Sequence, residues 1–425
     1  MKMENGKLKK YKLGEICDLN LSSLKSSDRI DEILYLDTSN ITENRISDLQ
    51  SFSIANAPSR AQRKVRNNTI IFSTVRPNQN HFGIIKNSQS NLIVSSGFTT
   101  LDIKNPEDFD ANYVYLKLTQ PYVVNYLQTL AQNSVSAYPS INPDDIGNLS
   151  FYFPPLESQQ KIAAVLSTLD DKIALNRRMN AKLEQMAKRL YDHWFVQFDF
   201  PVSCHSELVS ESHSEEMLNQ VQHDECTKPY KSSGGKMVWN ETLKREIPAG
   251  WEVKKIDDFC RIFTGKKDVN QSLNSGKYKF YSCAPGYKFS DEKIFEGKAI
   301  LISGNGSYTG RTIFVNEAFD LYQRTYAVVL KDNLTNWLEY IFFTVQRFLA
   351  PKVGGGTHGS AIPYIVYDDI AKESFAFSEE IVAEFEKIII PILSEIVAKE
   401  KEIQKLTALR DHLLPLLMNG QVEVK

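Results

Sequence analysis

The chain has 425 residues, 42% hydrophobic and 24% charged, with a formal net charge of −2, the balance of an ordinary globular protein with room for two or three domains. That charge excludes a protein that coats nucleic acid by bulk positive charge, while leaving room for a local basic face. The five cysteines, Cys17, Cys204, Cys226, Cys260 and Cys283, are odd in number, scattered and never in a CxxC pair, which fits neither a disulfide framework nor a zinc ribbon.

The opening MKMENGKLKKYK is polar and charged with no apolar stretch behind it. No apolar run approaches the roughly 20 residues that span a bilayer, so a cytoplasmic location without a membrane partner is expected. YKLGEIC (11–17) then opens the first half amphipathically. From Leu49 to Leu101 there is no Asp or Glu, while Arg60, Arg63, Lys64, Arg66, Arg76 and Lys86 fall inside that window together with Asn78, Gln79, Asn80 and His81. Lys and Arg neutralise phosphates, and Arg, Asn and Gln carry the forked donor and acceptor geometry that reads base edges in the major groove. SRAQRKVRNN (59–68) suits phosphates, and STVRPNQNHF (73–82) suits a reading loop. Short alternating runs, NNTIIFST, GIIKN and NLIVSS here, KAILIS, RTIFV and TYAVVL later, are set off by Gly, Asn and Pro and predict two β-rich α+β halves.

Residues 136–153, SAYPSINPDDIGNLSFYF, recur without a gap as SAIPYIVYDDIAKESFAF at 360–377. YKLGEIC likewise resembles WEVKKIDDFC (251–260), so the chain carries an internal duplication. A long helical segment follows each copy. In the first, Ile162, Leu166, Leu169, Ile173, Leu183, Ala187, Leu190 and Trp194 recur in steps of three and four, a coiled-coil seam interrupted by Asn176 and Asn180. In the second, Phe385, Ile389, Ile392, Ile396, Ile403, Leu406 and Leu413 repeat that rhythm behind Ser378 as N-cap, and Pro391 is expected to kink or restart the helix. Two seams in one chain suggest one paired coiled coil; the alternative is that each helix packs only on its own half. A helix of roughly 38 residues reaches on the order of 55–60 Å and would act as a spacer. The expected division is a globular half 1–155, a long helix 156–200, a linker 201–238 with an acidic insertion 203–226, a globular half 239–378, and a long helix with tail 379–425.

The second half has shorter acid-free stretches, bearing Lys277 and Lys279, then Asn305, Tyr308 and Arg311, then Arg347, Lys352 and His358. Each stretch by itself is equally a solvated basic surface; recurrence in both halves favours DNA. Catalytic signatures are missing. No Gly-Lys pair has the earlier glycine of a P-loop, and the only Pro-Pro, Pro154-Pro155, lacks the polar residue before it that an amino-methyltransferase uses. Glu296-Gly297-Lys298 after Asp291 has nuclease-like spacing but reads better as a surface turn, and GNGSYTG (304–310) reads as a hairpin loop rather than a dinucleotide site.

This organisation resembles the DNA-specificity subunits of type I restriction-modification systems. The resemblance covers nearly the whole chain and is carried by PPLESQQKIAAVLSTLDDKIALNRRMNAKLEQMAKRLYDHWFVQFDFP (154–201), KPYKSSGGKMVWNETLKREIPAGWEV (228–253), GGTHGSAIPYI (355–365) and LRDHLLPLLMNGQVEV (409–424). It implies that 1–155 and 239–378 are target-recognition domains, each reading half of a split site in double-stranded DNA, and that the two long helices form an antiparallel coiled coil. It implies a noncatalytic subunit with no cofactor of its own. Two modification (methyltransferase) subunits would bring S-adenosylmethionine, and restriction (translocase and nuclease) subunits would bring ATP and magnesium. The competing readings are a restriction enzyme or methyltransferase with an unrecognised site on this chain, and a coiled-coil scaffold that does not bind DNA.

SCHSELVSESHSEEMLNQVQHDEC (203–226) brings Cys204, His205, His213, His223 and Cys226 together, but without the close pairs that preorganise structural zinc. No metal is expected there. Six acids and no Lys or Arg also argue against DNA contact, so a tolerated insertion is expected.

Overall fold

The computed structural model describes residues 8–25, 27–133, 139–203, 227–332, 334, 336–353 and 364–424. They form two compact units, Met1–Asn176 with Lys401–Lys425, and Arg177–Glu400.

In the first unit, strand Lys9–Lys12 passes through the one-turn helix Leu13–Ile16 into strand Cys17–Leu19. Lys9–Lys12 pairs antiparallel with Ser150–Phe153, placing Tyr11 opposite Phe151. One four-stranded sheet runs in the order Cys17–Leu19, Phe98–Ile103, Ile70–Ser73, Phe82–Ile84; a second runs Gln50–Ser53, Glu32–Leu36, Leu92–Ser95, Ala61–Lys64. Ile70, Ile71 and Phe72 are all buried, which is why this strand reads as a continuous apolar run instead of an alternation.

The second unit repeats the plan. Glu252–Lys255, the turn Ile256–Phe259 and Cys260–Thr264 follow one another, and Glu252–Lys255 pairs antiparallel with Ser374–Phe377, Lys254 opposite Phe375. The six-stranded sheet has the order Cys260–Thr264, Thr325–Leu330, Phe295–Ser303, Thr312–Leu321, Tyr278–Tyr281, Lys288–Ser290. Its first four strands reproduce the order and the register of the first sheet. Ile103 faces Cys17 as Leu330 faces Cys260; Leu101 faces Ile70 as Val328 faces Ile300; Ile70 faces Ile84 as Ile300 faces Phe314. Five of the six predicted strand runs hold a strand over at least half of their length, whereas of GIIKN (83–87) only Gly83 and Ile84 are in one, Phe82–Ile84; the α+β duplication is borne out.

The central helix is Leu156–Tyr191 and the distal helix Glu379–Met418. In the first unit Asp170 meets Arg410 (3.0 Å) and the Asn176 amide donates to Glu402 Oε2 (2.9 Å). In the second, the Asn180 amide donates to the Ile396 carbonyl (3.4 Å) and the Tyr191 and Phe385 rings lie 6.1 Å apart. Within each unit the partner number falls as the central-helix number rises, so the pairing is antiparallel. Ile162, Leu166, Ile173, Ala187, Trp194, Phe385, Ile389 and Ile403 are buried; Leu169, Leu183, Leu190, Ile392, Ile396, Leu406 and Leu413 are half-buried.

Two expectations about the helices are corrected. Asn176 and Asn180 do not interrupt the seam: both are buried within it, as polar layers that keep the apolar spacing. Pro391 does not restart the distal helix, which is continuous from Glu379 to Met418; the proline is exposed, so the carbonyl that its missing N–H leaves behind can be met by water. Ser378 sits where the N-cap was expected, and its carbonyl accepts from Val382 N at 2.9 Å. Because Asn176 Oδ1 is buried without a partner, Asn176→Leu should raise the thermal unfolding midpoint, by roughly 1–2 kcal/mol of stability. Unfolding scans of the two proteins check this.

The segment read as a linker is tied down on both sides of the insertion. Pro201–Ser203 pairs antiparallel with Thr227–Pro229, Ser203 directly opposite Thr227. Asp199 accepts from Ser232 N (2.7 Å) and Oγ (2.6 Å), and Tyr230 stacks on Phe200 with centroids 4.7 Å apart. Cys204, His205, His213, His223 and Cys226 lie outside the described residues. No described helix is long and apolar enough to cross a membrane.

Candidate nucleic-acid interface

The sheet register makes two loops equivalent. Strand Ile70–Ser73 passes through 74–81 into Phe82–Ile84, and strand Phe295–Ser303 passes through 304–311 into Thr312–Leu321. The loops, TVRPNQNH and GNGSYTGR, have equal length and no residue in common at any position. Their backbones nevertheless agree. Ser73 N donates to His81 O as Ser303 N donates to Arg311 O, and Gln79 N to Arg76 O as Thr309 N to Gly306 O. The left-handed positions coincide too: Arg76 (φ 47°) with Gly306 (φ 84°), and Asn80 (φ 57°) with Gly310 (φ 81°). Each loop is pinned by the duplicated segment, Ile141 N donating to Thr74 O (2.9 Å) and Ile365 N to Gly304 O (2.8 Å). Bridges Val75–Ser140 and Asn305–Tyr364 extend both attachments.

In the first loop Arg76 and Asn78 are exposed. Asn78 N donates to Gln128 Oε1 at 3.2 Å, which ties the tip to the helix Pro121–Gln132. Asn80 Nδ2 donates to Glu43 (3.1 Å), and His81 Nδ1 lies 2.6 Å from the Ile41 carbonyl. His81 therefore anchors the loop base instead of facing a ligand. Arg60 is exposed, and its carbonyl accepts from Ser96 N, while the next residue, Gly97, accepts from Thr74 N; this turn brings Arg60 beside the loop.

The rest of the basic tract is less basic in space than in sequence. Lys64 pairs with Asp28 at 2.8 Å, holding that carboxyl below its usual range through the side-chain hydrogen bond. Arg66 Nε meets buried Asp102 at 2.9 Å, and Arg63 Nη1 donates to Ser23 Oγ at 3.3 Å. Both acids lie outside the tract, Asp28 in the turn before strand Glu32–Leu36 and Asp102 just past the tract's end, so Lys64 and Arg66 are partly compensated. Arg66 itself stays exposed although Asp102 is buried, so part of its guanidinium remains open to a phosphate while Nε holds the acid.

In the second unit Tyr308 is exposed at its loop tip and Arg311 Nη1 donates to the Ala284 carbonyl (3.3 Å). Cys283 Sγ donates to Asn305 Oδ1 (3.2 Å) and to Arg324 O (3.3 Å). Three loops, around Cys283, Asn305 and Arg324, so form one end of the sheet. Arg324 is exposed there and does not stand out in the sequence because Asp320 lies close before it; its place, equivalent to that of Gly97 in the first unit, each accepting from the first residue of its own unit's loop, is the signal that finds it. Lys277 is exposed, whereas Lys279 is committed to Glu317 at 2.9 Å and lies 4.8 Å from the Tyr287 ring centroid. His358 and Lys352 fall where no side chain is described. Two members of the nuclease-like trio are engaged in ion pairs with residues outside it: Glu296 pairs with Lys293, and Lys298 with buried Glu339.

The chain matches the family model of the type I restriction modification DNA specificity domain twice, over residues 5–185 and 248–411. It is 24% identical over 463 aligned residues to the Type I restriction enzyme HindI specificity subunit of Haemophilus influenzae, covering 97% of this chain and 99% of that protein. To the MjaIX specificity subunit of Methanocaldococcus jannaschii it is 23% identical over 376 residues, covering 84% and 78%. Its fold is similar to the crystal structure of the type I restriction-modification S subunit from M. genitalium, with a TM-score of 0.60 at 15% identity over 98% and 97% of the two chains. With two copies of that domain over most of its length, the chain belongs to the type I restriction modification DNA specificity family.

Proposed function

We propose that this chain is the sequence-specific DNA-recognition subunit of a type I restriction-modification complex, reading a two-part site with one loop-bearing sheet per half-site. The observation that carries the reading is the equivalence of 74–81 and 304–311: one scaffold, used twice, presents different side chains at the same places. A frame held constant while its exposed residues differ is what two different half-sites require. Arg76 and Asn78 have the geometry that pairs with guanine and adenine, and Arg60 and Arg66 are placed to meet phosphates.

In this reading the chain is not itself an enzyme. Two modification subunits supply S-adenosylmethionine and methylate adenine, and restriction subunits supply ATP, magnesium and cleavage. The central helix offers a docking surface, with Met179 and Met186 exposed seven residues apart. Purified chain incubated with target DNA and labelled S-adenosylmethionine should transfer no methyl group until modification subunits are added. Transfer by the chain alone would overturn the proposal.

A further inference from the structure

The helix Pro121–Gln132, PYVVNYLQTLAQ, contains no charged residue although one side of it meets solvent. Val123, Val124, Leu127 and Ala131 are buried, which accounts for the inner face. Tyr122, Asn125, Tyr126 and Thr129 are exposed, the two tyrosines at 57% and 53%. Their spacing puts all four on one face. A solvated helix face ordinarily carries Lys, Glu, Arg or Asp; this one carries hydroxyls and an amide. It offers donors, acceptors and aromatic surface without an acid to repel phosphate. The face is also continuous with the loop described above, because Asn78 N donates to Gln128 Oε1 (3.2 Å) and the Pro77–Gln79 turn packs on the helix.

We infer that the Tyr122–Asn125–Tyr126–Thr129 face is a second base-reading surface for the first half-site, entering the major groove of duplex DNA beside Arg76 and Asn78. The inference rests on the recognition function proposed above. A helix about 10–12 Å across fits a groove about 12 Å wide. Asn125 carries the amide that pairs with an adenine edge, and Tyr126 supplies a hydroxyl and an apolar ring for a thymine methyl. Charged groups would add affinity of any sequence; uncharged ones add mainly discrimination. In the second unit the helix Leu338–Val353 bears Arg347, paired with Asp192 at 3.0 Å. The inference is confined to the first half-site.

The test is the double variant Asn125→Ala, Tyr126→Ala in the full chain, assembled with its modification subunit, beside Arg76→Ala. Methylated adenines are mapped genome-wide, and binding is measured by competition between target and random-sequence duplex. The expected result is relaxed sequence preference in one half of the motif, the other half unchanged, with specific binding down about tenfold or more. An unchanged motif and affinity in the double variant, with Arg76→Ala impaired, overturns the helix face and leaves the loop in place. No change in either variant overturns the loop reading and, with it, the helix face. A loss equal for target and random DNA also overturns the inference, because it assigns the face to phosphates.

Discussion

Arg76→Gly should lower specific DNA binding by the assembled complex about 10- to 100-fold while leaving the fold as stable as before, to within about 1 kcal/mol. The two halves of that expectation have separate causes. Loss of binding follows from removing the exposed guanidinium at the first loop, where a bidentate contact to a base is worth about 1–3 kcal/mol. Retention of stability follows from the backbone. Arg76 lies at φ 47°, ψ 66°, a left-handed conformation that costs an L-residue roughly 1–2 kcal/mol and glycine almost nothing. Relief of that strain offsets the greater freedom of glycine in the unfolded chain. The second loop already has glycine at this place, Gly306. Keeping a strained arginine where glycine would serve the turn is the mark of a side chain retained for its contacts. Competition binding and a thermal scan of the same sample check both halves; binding unchanged would remove Arg76 from the interface.

Phe385→Ala should cost the second unit about 3–5 kcal/mol, a large share of the roughly 5–15 kcal/mol that holds a domain folded. Phe385 is fully buried, with ring centroids 5.0 Å from Phe195, 5.8 Å from Trp194, and 6.1 Å from both Tyr191 and Phe343. Tyr191 also bonds Thr344 Oγ1 at 2.9 Å, and Tyr340 donates to the Ala376 carbonyl at 2.7 Å, so the cluster has little freedom to collapse into the vacated space. Calorimetry should show the second unit's transition lowered by about 10 °C. An unchanged transition would show that the cluster is not what holds that unit together. Phe385→Leu, which keeps most of the volume, should cost far less.

Much of this was legible in the sequence, for identifiable reasons. The match of 136–153 with 360–377 disclosed the duplication, and the strands were found because Ile, Val and Phe cluster between Gly, Asn and Pro. Both loops stand out in the sequence, but for unrelated reasons: 73–82 for its basic and amide side chains, and 304–310 for its glycines. Their equivalence was hidden because the loops share no residue; only the pairing of the flanking strands aligns Arg76 with Gly306. The left-handed turn tolerates Gly, Asn or a strained residue, so it leaves no fixed letter. The acid-free tract overstated the local charge because charge is compensated by neighbours in space: Asp28, Asp102 and Glu43 come from outside it. Asn176 and Asn180 looked like breaks because a count of apolar residues cannot distinguish a polar layer inside a seam from an interruption. The uncharged helix Pro121–Gln132 escaped notice because its exposed Tyr122 and Tyr126 read as core residues in a linear sequence.

The central claim is that this chain directs its complex to a two-part DNA site, one part per unit. Mapping methylated adenines in cells that hold the modification subunit, with and without this chain, tests it most directly. The account predicts a motif of two specified parts separated by an unspecified gap, present only with the chain, and altered in one part alone by Arg76→Gly. A motif that persists without the chain, or one lacking the gap, would contradict it.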